Sequence, residues 1–234
     1  MTFDIIGDVA VISEREDIDN IVEEIKKTHK HVKTICIKKG KIQGEERIPK
    51  IEVMWGDGTE TIHKENGFRF KLDVKKVFYT PRMQNERAIV ISKVRSNERV
   101  LDMFAGVGPF AIPIAKKAKQ VVAIDINKHA IKYLKENAKL NKVNVKTYVG
   151  DCREIIRKEN LTEFDRIIMN FPKGAKEYLD VALKAGRKGT IIHFYTFEKQ
   201  ERMKFSEDFE VLERRTCGDV APGLFRVAYD LKIK

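Results

Sequence analysis

The amino-acid sequence predicts an α/β fold in which a doubly wound parallel sheet follows a small α+β domain. From residue 77 onward, short apolar runs alternate with amphipathic helical patterns, which is typical of parallel strands joined by crossover helices. The last two apolar runs, 210–215 and 225–232, have no helical pattern between them and therefore predict an antiparallel hairpin at the sheet edge. Residues 1–76 have a different rhythm, in which short β-rich runs surround one helical pattern and no parallel βαβ repeat is visible.

The first 76 residues are expected to form the small α+β domain. Apolar residues recur at helical spacing over residues 17–27 and predict a helix there. The Gly56-Asp57-Gly58 segment predicts a turn with strands on both sides. The expected strands cover residues 9–12, 32–38, 52–55, 59–63 and 68–72.

The second domain is expected to span residues 77–234 and to begin with a helical linker at about 77–95, which includes a helix over 81–94. Five buried strands follow, each leading into a helix. In such a sheet the carboxyl ends of the strands gather at one edge, where ligands bind. The predicted strands are 99–104, 121–126, 145–150, 166–170 and 190–195, and the predicted helices are 109–118, 128–141, 151–158, 175–185 and 198–204.

The charge of the chain favours a polyanionic partner. It contains 46 Lys and Arg against 35 Asp and Glu, which gives a formal net charge of +11 at pH 7. Nucleic acid is the simplest such partner, although proteins from thermophiles are also rich in lysine and glutamate. The three scattered cysteines lack metal-ligand spacing, so neither a disulfide framework nor a metal site is expected.

The chain shows no membrane or export signal. Its apolar runs are too short to span a bilayer, and its N-terminus does not resemble a signal peptide. We therefore expect a soluble, cytoplasmic protein without a membrane partner. We also predict a monomer that needs no protein partner.

Acidic residues follow or close three successive predicted strands. Asp102 ends an apolar run and precedes a Gly-x-Gly turn at Gly106 and Gly108, Asp125 ends the next run, and Asp151 follows the third. A glycine turn between a strand and a helix lets a ligand approach the backbone closely, and an acid after the second strand is placed to hold a ribose. The alternative is that these acids only cap the helices that follow them.

The residues around the glycine turn indicate S-adenosylmethionine rather than a dinucleotide. Pro109 removes a backbone donor where a pyrophosphate would need one. Asp102 suits the positively charged end of a ligand, Asp125 the ribose hydroxyls, and Asp151 the adenine amino group. An NAD-linked oxidoreductase is the alternative that dinucleotide binding would support.

Several motifs resemble those of a known family. The pattern D-x-F-x-G-x-G-x-F that begins at Asp102, together with Asn170-Phe-Pro172, is similar to class I, Rossmann-like methyltransferases. The segments 4–8, 44–47 and 79–87 resemble the archaeal and eukaryotic tRNA (guanine-37-N1)-methyltransferase family, which includes related enzymes of wyosine synthesis. The resemblance covers almost the whole chain. It departs from the family where Phe171 replaces the usual leucine, and in lacking the additional N-terminal domain that contacts the tRNA elbow.

The resemblance implies an enzyme that methylates N1 of guanosine 37 in tRNA with S-adenosylmethionine as the methyl donor. Guanine N1 carries a proton, so the reaction needs a base near N1 and a group that stabilises negative charge on O6. By position in the motifs, Glu86 is implied as the base, Arg47 as the group facing O6, and Asn170 and Pro172 as walls of the guanine pocket. Without the resemblance, Glu86 would pair with Arg82 on one helix face, and Arg47 would be a solvated loop residue.

The resemblance also implies binding residues and gives the small domain a part in RNA binding and catalysis. Phe78 and Tyr79 are candidates to stack on a flipped base, with packing at the domain junction as the alternative. Arg82, Phe171 and Lys173 are further candidates for substrate contacts. The implied cofactor contacts are Asp102, Phe104, Ala105, Gly106, Gly108, Asp125, Ile126, Asn127, Asp151, Cys152 and Asn170.

The sequence leaves other functions open. The same fold acts in wyosine synthesis, where it methylates C7 of the tricyclic base at tRNA position 37, alone or together with N1 methylation of guanosine. Transfer of an aminocarboxypropyl group is disfavoured, because Glu86 and the Asn-Phe-Pro motif match the methylating branch. A non-catalytic RNA-binding module is the alternative from another class, and the three strand-end acids argue against it. Without an elbow-binding domain, recognition is expected to depend on the anticodon stem-loop.

Overall fold

The computed structural model describes residues 3–40 and 48–234. In chain order, the strands are β1 (Phe3–Ile6), β2 (Val9–Ser13), β3 (Thr34–Lys39), β4 (Lys50–Trp55), β5 (Glu60–Glu65), β6 (Phe68–Asp73), β7 (Arg99–Asp102), β8 (Gln120–Asp125), β9 (Lys146–Val149), β10 (Arg166–Met169), β11 (Ile191–Glu198), β12 (Phe209–Ala221) and β13 (Leu224–Ile233). The helices are α1 (Ile18–Thr28), α2 (Gln84–Lys93), α3 (Ala111–Ala115), α4 (Lys128–Leu140), α5 (Cys152–Lys158) and α6 (Leu179–Ala185). None of the helices described is long and apolar enough to cross a membrane.

Seven strands form the main sheet, in the order β12-β13-β11-β10-β7-β8-β9. Strands β7 to β11 are parallel, and β13 is antiparallel to both β11 and β12. The predicted doubly wound sheet with an antiparallel edge hairpin is therefore confirmed. The order of the strands reverses between β7 and β10, and ligands of doubly wound sheets bind beyond the carboxyl ends of the strands at such a point.

The helix predicted over residues 198–204 is wrong. β11 continues to Glu198, and residues 199–208 contain no helix. The Phe205 ring instead makes an edge-to-face contact with Tyr229 of β13, with 5.0 Å between the ring centroids. Aromatic packing against the sheet thus overrides a short helical pattern, which is the weakest kind of sequence signal.

The small domain contains a four-stranded sheet in the order β1-β2-β3-β4. β2 and β3 are parallel and α1 connects them, so this sheet includes a βαβ unit, contrary to the sequence analysis. Helix α1 buries Ile21 and Ile25 in one cluster with Ile12 and Ile35 of the two strands. A single strand-helix-strand crossover produces no repeat in the sequence, so the sequence pattern does not indicate this βαβ unit. Strand β1 was also not predicted.

The hairpin of β5 and β6 packs against the main-sheet domain. Its turn consists of Asn66 and Gly67, whose φ angles of 49° and 82° suit a tight two-residue turn. The Asn137 side chain of α4 accepts a hydrogen bond from Lys71 N (2.7 Å) and donates one to Lys71 O (3.1 Å). The boundary predicted at residue 76 lies just after this hairpin.

A buried ion pair fastens the hairpin to α2. Arg87 of α2 and Glu65 of β5 are 2% and 4% exposed. Arg87 Nε donates to Glu65 Oε1 (2.6 Å), Arg87 Nη2 contacts Glu65 Oε2, and the Tyr79 hydroxyl donates to Glu65 Oε2 (2.7 Å). Because a buried carboxylate needs this compensation, the pair fixes where α2 lies relative to the hairpin.

Replacing Arg87 with Met should strongly destabilise the protein, because Glu65 then stays buried with only the Tyr79 hydroxyl as a partner. Breaking a buried pair costs about 3–5 kcal/mol, and about 2–4 °C is lost per kcal/mol in a chain of this size. Calorimetry should therefore show a Tm lower by about 10 °C. A double variant, R87M with Glu65→Leu, should recover most of the loss. A single variant that melts within about 2 °C of the parent would contradict this role of the pair.

Candidate active site: a strand-end pocket beside a large cleft

Two adjoining cavities lie around the carboxyl ends of the main-sheet strands. The smaller, named here the strand-end pocket, lies beyond β7, β8 and β10. The larger, named here the cleft, has a volume of about 1120 Å³ and is bounded by the small sheet, the linker before α2 and the edge hairpin. The walls shared by both cavities are Phe78, Tyr79, Thr80 and Phe171.

Of the two glycines in the turn, Gly106 lines the strand-end pocket and Gly108 does not. Gly106 has φ +56°, and a Cβ built on it meets nothing within 4 Å, so a ligand can approach its backbone closely. A Cβ on Gly108 would lie 2.8 Å from Cγ1 of Ile112, so that glycine is required for packing between α3 and α4. The predicted cofactor contact is thus structurally suited at Gly106, whereas Gly108 shapes the turn.

Asp125, at the end of β8, borders the strand-end pocket as expected. Its Oδ2 accepts a hydrogen bond from Gly106 N (2.7 Å) and its Oδ1 accepts one from Asn127 N (2.9 Å). These two bonds fix the carboxylate between the glycine turn and the start of α4. That is where an acid holds ribose hydroxyls in a doubly wound sheet.

Asp151 serves as a helix cap, which is the alternative considered for the three strand-end acids, and Asn127 caps the other helix of this edge. Asn127 Oδ1 accepts from His129 N (2.9 Å) at the start of α4. Asp151 Oδ1 accepts from Arg153 N (2.8 Å) at the start of α5, and the Arg153 guanidinium also binds this carboxylate, which lowers the pKa of Asp151. Both residues still line the strand-end pocket, so capping and ligand binding are compatible.

Asp102 is 1% exposed and is not itself a lining residue of the strand-end pocket, although the next residues, Met103 to Gly106, are. Its Oδ1 accepts a long hydrogen bond from Phe104 N (3.4 Å), and its buried Oδ2 has no hydrogen-bond partner among the described residues. Burial raises the pKa of Asp102 to about 8, and the nearby charge of Asp125 adds to the effect. A buried carboxyl oxygen without a donor fits the sequence-based expectation that Asp102 serves a cationic group of the ligand.

The remaining predicted cofactor residues, Phe104, Ala105, Ile126, Cys152 and Asn170, all line the strand-end pocket. Burial raises the pKa of Cys152 to about 12, so this side chain is a neutral thiol rather than a nucleophile. The described ranges hold no group of three metal-ligating side chains.

The Asn-Phe-Pro-Lys segment after β10 lies where the two cavities meet. Phe171 lines both, with its ring centroid 5.1 Å from that of Phe104. Lys173 lines the cleft, and Asn170 lines the strand-end pocket. Pro172 is not a lining residue of either cavity. The segment therefore lies between the strand-end pocket and the larger cleft.

Tyr79 borders both cavities, but its side chain is held at the domain junction. It is 8% exposed, its hydroxyl is bonded to Glu65, and its ring packs 5.1 Å from that of His63. The alternative of packing at the domain junction describes it better, because the ring and the hydroxyl are both engaged. Phe78 borders both cavities and keeps its candidate role.

Glu86 does not pair with Arg82, whose Nε donates to Asp4 Oδ1 (2.7 Å) instead. Glu86 is 6% exposed, and its Oε1 accepts hydrogen bonds from the Tyr195 hydroxyl (3.0 Å) and from Arg215 Nη2 (2.8 Å). No local pattern indicates these partners, because they come from β11 and β12, more than a hundred residues away.

The Glu86 network continues into the sheet. Arg215 Nη2 also donates to Asp230 Oδ1 (2.9 Å), which lies 2.7 Å from His193 Nδ1. Glu86 itself lines neither cavity, but it neighbours Cys217, which lines the cleft and whose pKa is raised to about 12 by burial and by Glu86. Glu86 therefore lies one layer behind the cleft wall. Arg47, predicted to face O6, lies outside the described residues.

Comparisons with known proteins agree with this geometry. Residues 61–220 match the TRM5/TYW2 methyltransferase domain, and residues 1–59 match the TYW2 N-terminal domain. The tRNA (guanine(37)-N(1))-methyltransferase Trm5b of Pyrococcus abyssi is 44% identical over 99% of this chain and 74% of its own length. Its crystal structure has a TM-score of 0.86 and covers 100% of this chain and 75% of that one.

Two further relatives act on other bases or hold a ligand. The tRNA (guanine(37)-N(1))/4-demethylwyosine(37)-methyltransferase Taw22 of Nanoarchaeum equitans is 33% identical over 99% of both chains. The structure of Methanocaldococcus jannaschii TYW2 in complex with AdoMet has a TM-score of 0.72, is 26% identical, and covers 99% of this chain and 100% of that one.

Replacing Asp102 with Asn should stabilise the ligand-free protein in a pH-dependent way. The pKa of Asp102 is raised from 3.8 to about 8 by burial, so the folded state binds this proton more tightly than the unfolded state. Between those two pH values the unfolded state releases the proton while the folded state keeps it, so the parent protein loses stability as the pH rises. The Tm of Asp102→Asn should exceed that of the parent by about 5 °C or more at pH 8 and by much less at pH 5.

The same variant should bind S-adenosylmethionine at least about tenfold more weakly in calorimetry, because a charge-assisted contact is lost. The exposed Asp19 of α1 provides a matched control. Asp19→Asn should change neither the Tm nor the affinity for S-adenosylmethionine. Unchanged affinity in Asp102→Asn would refute the assignment of Asp102 to the cationic end of the cofactor.

Proposed function

Because the chain belongs to the TRM5/TYW2 methyltransferase family, we propose that it transfers a methyl group from S-adenosylmethionine to N1 of guanosine 37 in tRNA. One observation carries this proposal most directly: the strand-end pocket and the cleft adjoin, with Phe78 and Phe171 in the walls of both. A cofactor in the pocket and a base in the cleft would therefore meet at this junction. Methyl transfer is an in-line displacement that depends mainly on such positioning.

S-adenosylmethionine is the cofactor, and when bound it supplies an electrophilic methyl group on a sulfonium. We assign the ribose hydroxyls to Asp125 and the cationic amino-acid end to Asp102. The open face of Gly106 permits close approach to the backbone. Asp151 and Cys152 border the adenine position in this arrangement. A dinucleotide oxidoreductase has no support from the family.

Glu86 is the candidate for the base that accepts the guanine N1 proton. In the structure Tyr195 and Arg215 hold the carboxylate just behind the cleft wall. To accept a proton from a base in the cleft, the carboxylate must turn away from Arg215 toward Cys217. The Arg215 guanidinium keeps Asp230 as a partner when this happens, so the buried cation is not left without compensation.

The remaining catalytic assignments rest on the family motifs. Arg47 is proposed to stabilise negative charge on guanine O6. Asn170 and Pro172 are proposed to shape the guanine pocket, and Asn170 lines the strand-end pocket next to Phe171. The substrate contacts are assigned to Phe78, Phe171 and Lys173.

The net charge of the chain favours tRNA as a substrate. The chain carries +11, and the cleft is lined by the basic side chains of Lys38, Arg82, Lys173 and Arg226 together with the acidic ones of Asp4, Glu14 and Asp219. A net positive charge attracts phosphates independently of sequence. We further propose that the protein acts as a monomer in the cytoplasm.

A second activity, methylation of C7 of 4-demethylwyosine at position 37, is favoured by a specific observation. Taw22, which is named for both reactions, matches this chain over 99% of both lengths. A cleft of about 1120 Å³ also exceeds what one guanine requires. The tricyclic base is therefore a candidate second substrate for the same pocket.

The proposal is tested with unmodified tRNA transcripts that carry G37, labelled S-adenosylmethionine and nucleoside mass spectrometry. We expect 1-methylguanosine, and its loss when G37 is replaced by A. A tRNA carrying 4-demethylwyosine should also accept a methyl group if the second activity is present. Absence of product on every substrate, with cofactor binding intact, would contradict the proposed function. Product on the tricyclic base alone would reassign the enzyme to wyosine synthesis.

A further inference from the structure

Arg226 occupies the wall of the cleft contributed by the edge hairpin. It belongs to β13, where it is opposite Phe197 of β11 and Gly218 of β12. Its guanidinium lies over the Phe197 ring, 5.8 Å from the ring centroid. The residue is only partly exposed and lines the cleft together with Arg82 and Asp4 of the facing side.

The charge of Arg226 is not balanced within the part of the chain that the structure describes. There its guanidinium donates no hydrogen bond and forms no ion pair, in contrast to Arg82, which is paired with Asp4. Burial lowers the pKa of Arg226, and the like charges of Arg82 and Arg87 act in the same direction. Arg82 and Arg87 are each paired with a carboxylate, Asp4 and Glu65, whereas the partly desolvated Arg226 has no such partner and would gain from an anion beside it.

Building on the proposed function, we propose that Arg226 binds a backbone phosphate next to nucleotide 37, and so positions the target base at the junction of the cleft with the strand-end pocket. A guanidinium presents paired donors that match two phosphate oxygens. Stacking on Phe197 restrains the plane of the guanidinium and leaves its N–H edges available to the cleft. The nearby Arg82 adds to the positive potential at this point.

A phosphate explains the arrangement better than a contact with the base. The edges of a neutral base offer acceptors to any well-placed donor, but they do not neutralise a charge. The cleft is also lined by Asp4, Glu14 and Asp219, but among the described residues no carboxylate forms an ion pair with Arg226, so a phosphate would supply the partner that it lacks. In a bound RNA strand the closest source of negative charge to a base in the cleft is its own backbone.

The test combines protein and RNA changes. Methylation of anticodon stem-loops is measured with single neutral methylphosphonates placed 5′ or 3′ of nucleotide 37, using the parent enzyme and Arg226→Gln. One of the two methylphosphonates should raise the KM of the parent about tenfold, as loss of a charge-assisted hydrogen bond predicts. The same methylphosphonate should raise the KM of R226Q less than twofold, because this variant already lacks the guanidinium that would bind the phosphate.

Salt dependence and matched variants complete the test. On unmodified RNA, R226Q should raise the KM about tenfold and leave kcat at saturating RNA within about twofold, and the salt slope of binding should fall by about 0.7–0.9. Arg226→Lys should recover part of the affinity. Arg157 is exposed on α5 and lines neither cavity, so R157Q, with the same change in net charge, should behave like the parent.

The possible failures are distinguishable. If the parent enzyme does not methylate the unmodified stem-loop or the full tRNA, the proposed function fails before Arg226 is tested. If the parent is active but each methylphosphonate raises the KM of R226Q by the same factor as the KM of the parent, Arg226 does not contact either phosphate. A loss of kcat in R226Q with an unchanged KM would place Arg226 on the reacting base and overturn the assignment.

Discussion

Two adjacent buried charges on α2 determine how the rest of the structure is arranged. Arg87 is paired with Glu65 of the β5–β6 hairpin, and Glu86 is paired with Arg215 and Tyr195 of the main sheet. Each charge is stable in the interior only with its partner in place. Helix α2 therefore cannot shift without breaking one of the two pairs. It fixes the linker before it, and hence the shared wall of the two cavities, relative to the sheet.

The carboxyl edge of the sheet is optimised for a ligand rather than for stability. Asp102 is buried with an unpartnered oxygen, and its pKa is raised to about 8 by burial. Gly106 adopts a left-handed conformation next to open space, so the turn leaves room for a ligand against its backbone. Both features are costly in the ligand-free chain. They become favourable when a cationic ligand approaches the turn closely, which agrees with S-adenosylmethionine as the cofactor.

The fold and the cofactor pocket could be predicted because their signals are local. Alternating strands and helices, the glycine turn and the acid at Asp125 are each contained within a few consecutive residues. The partners of Glu86 could not be predicted, because Tyr195 and Arg215 are 109 and 129 residues away in sequence. The helix predicted over 198–204 failed for a related reason, since the packing of Phe205 against Tyr229 of β13 replaces it. In both cases the structure depends on contacts between residues that are distant in sequence, which local patterns do not indicate.

The role of Glu86 as the base is the central chemical claim, and single-turnover methylation by Glu86→Gln tests it most directly. Glutamine can still accept hydrogen bonds from Tyr195 and Arg215, so the variant should remain folded and bind S-adenosylmethionine normally. With RNA and cofactor saturating, loss of general-base catalysis should slow methyl transfer by about 10²–10⁴-fold. A rate within about twofold of the parent would show that another group, or solvent, removes the N1 proton.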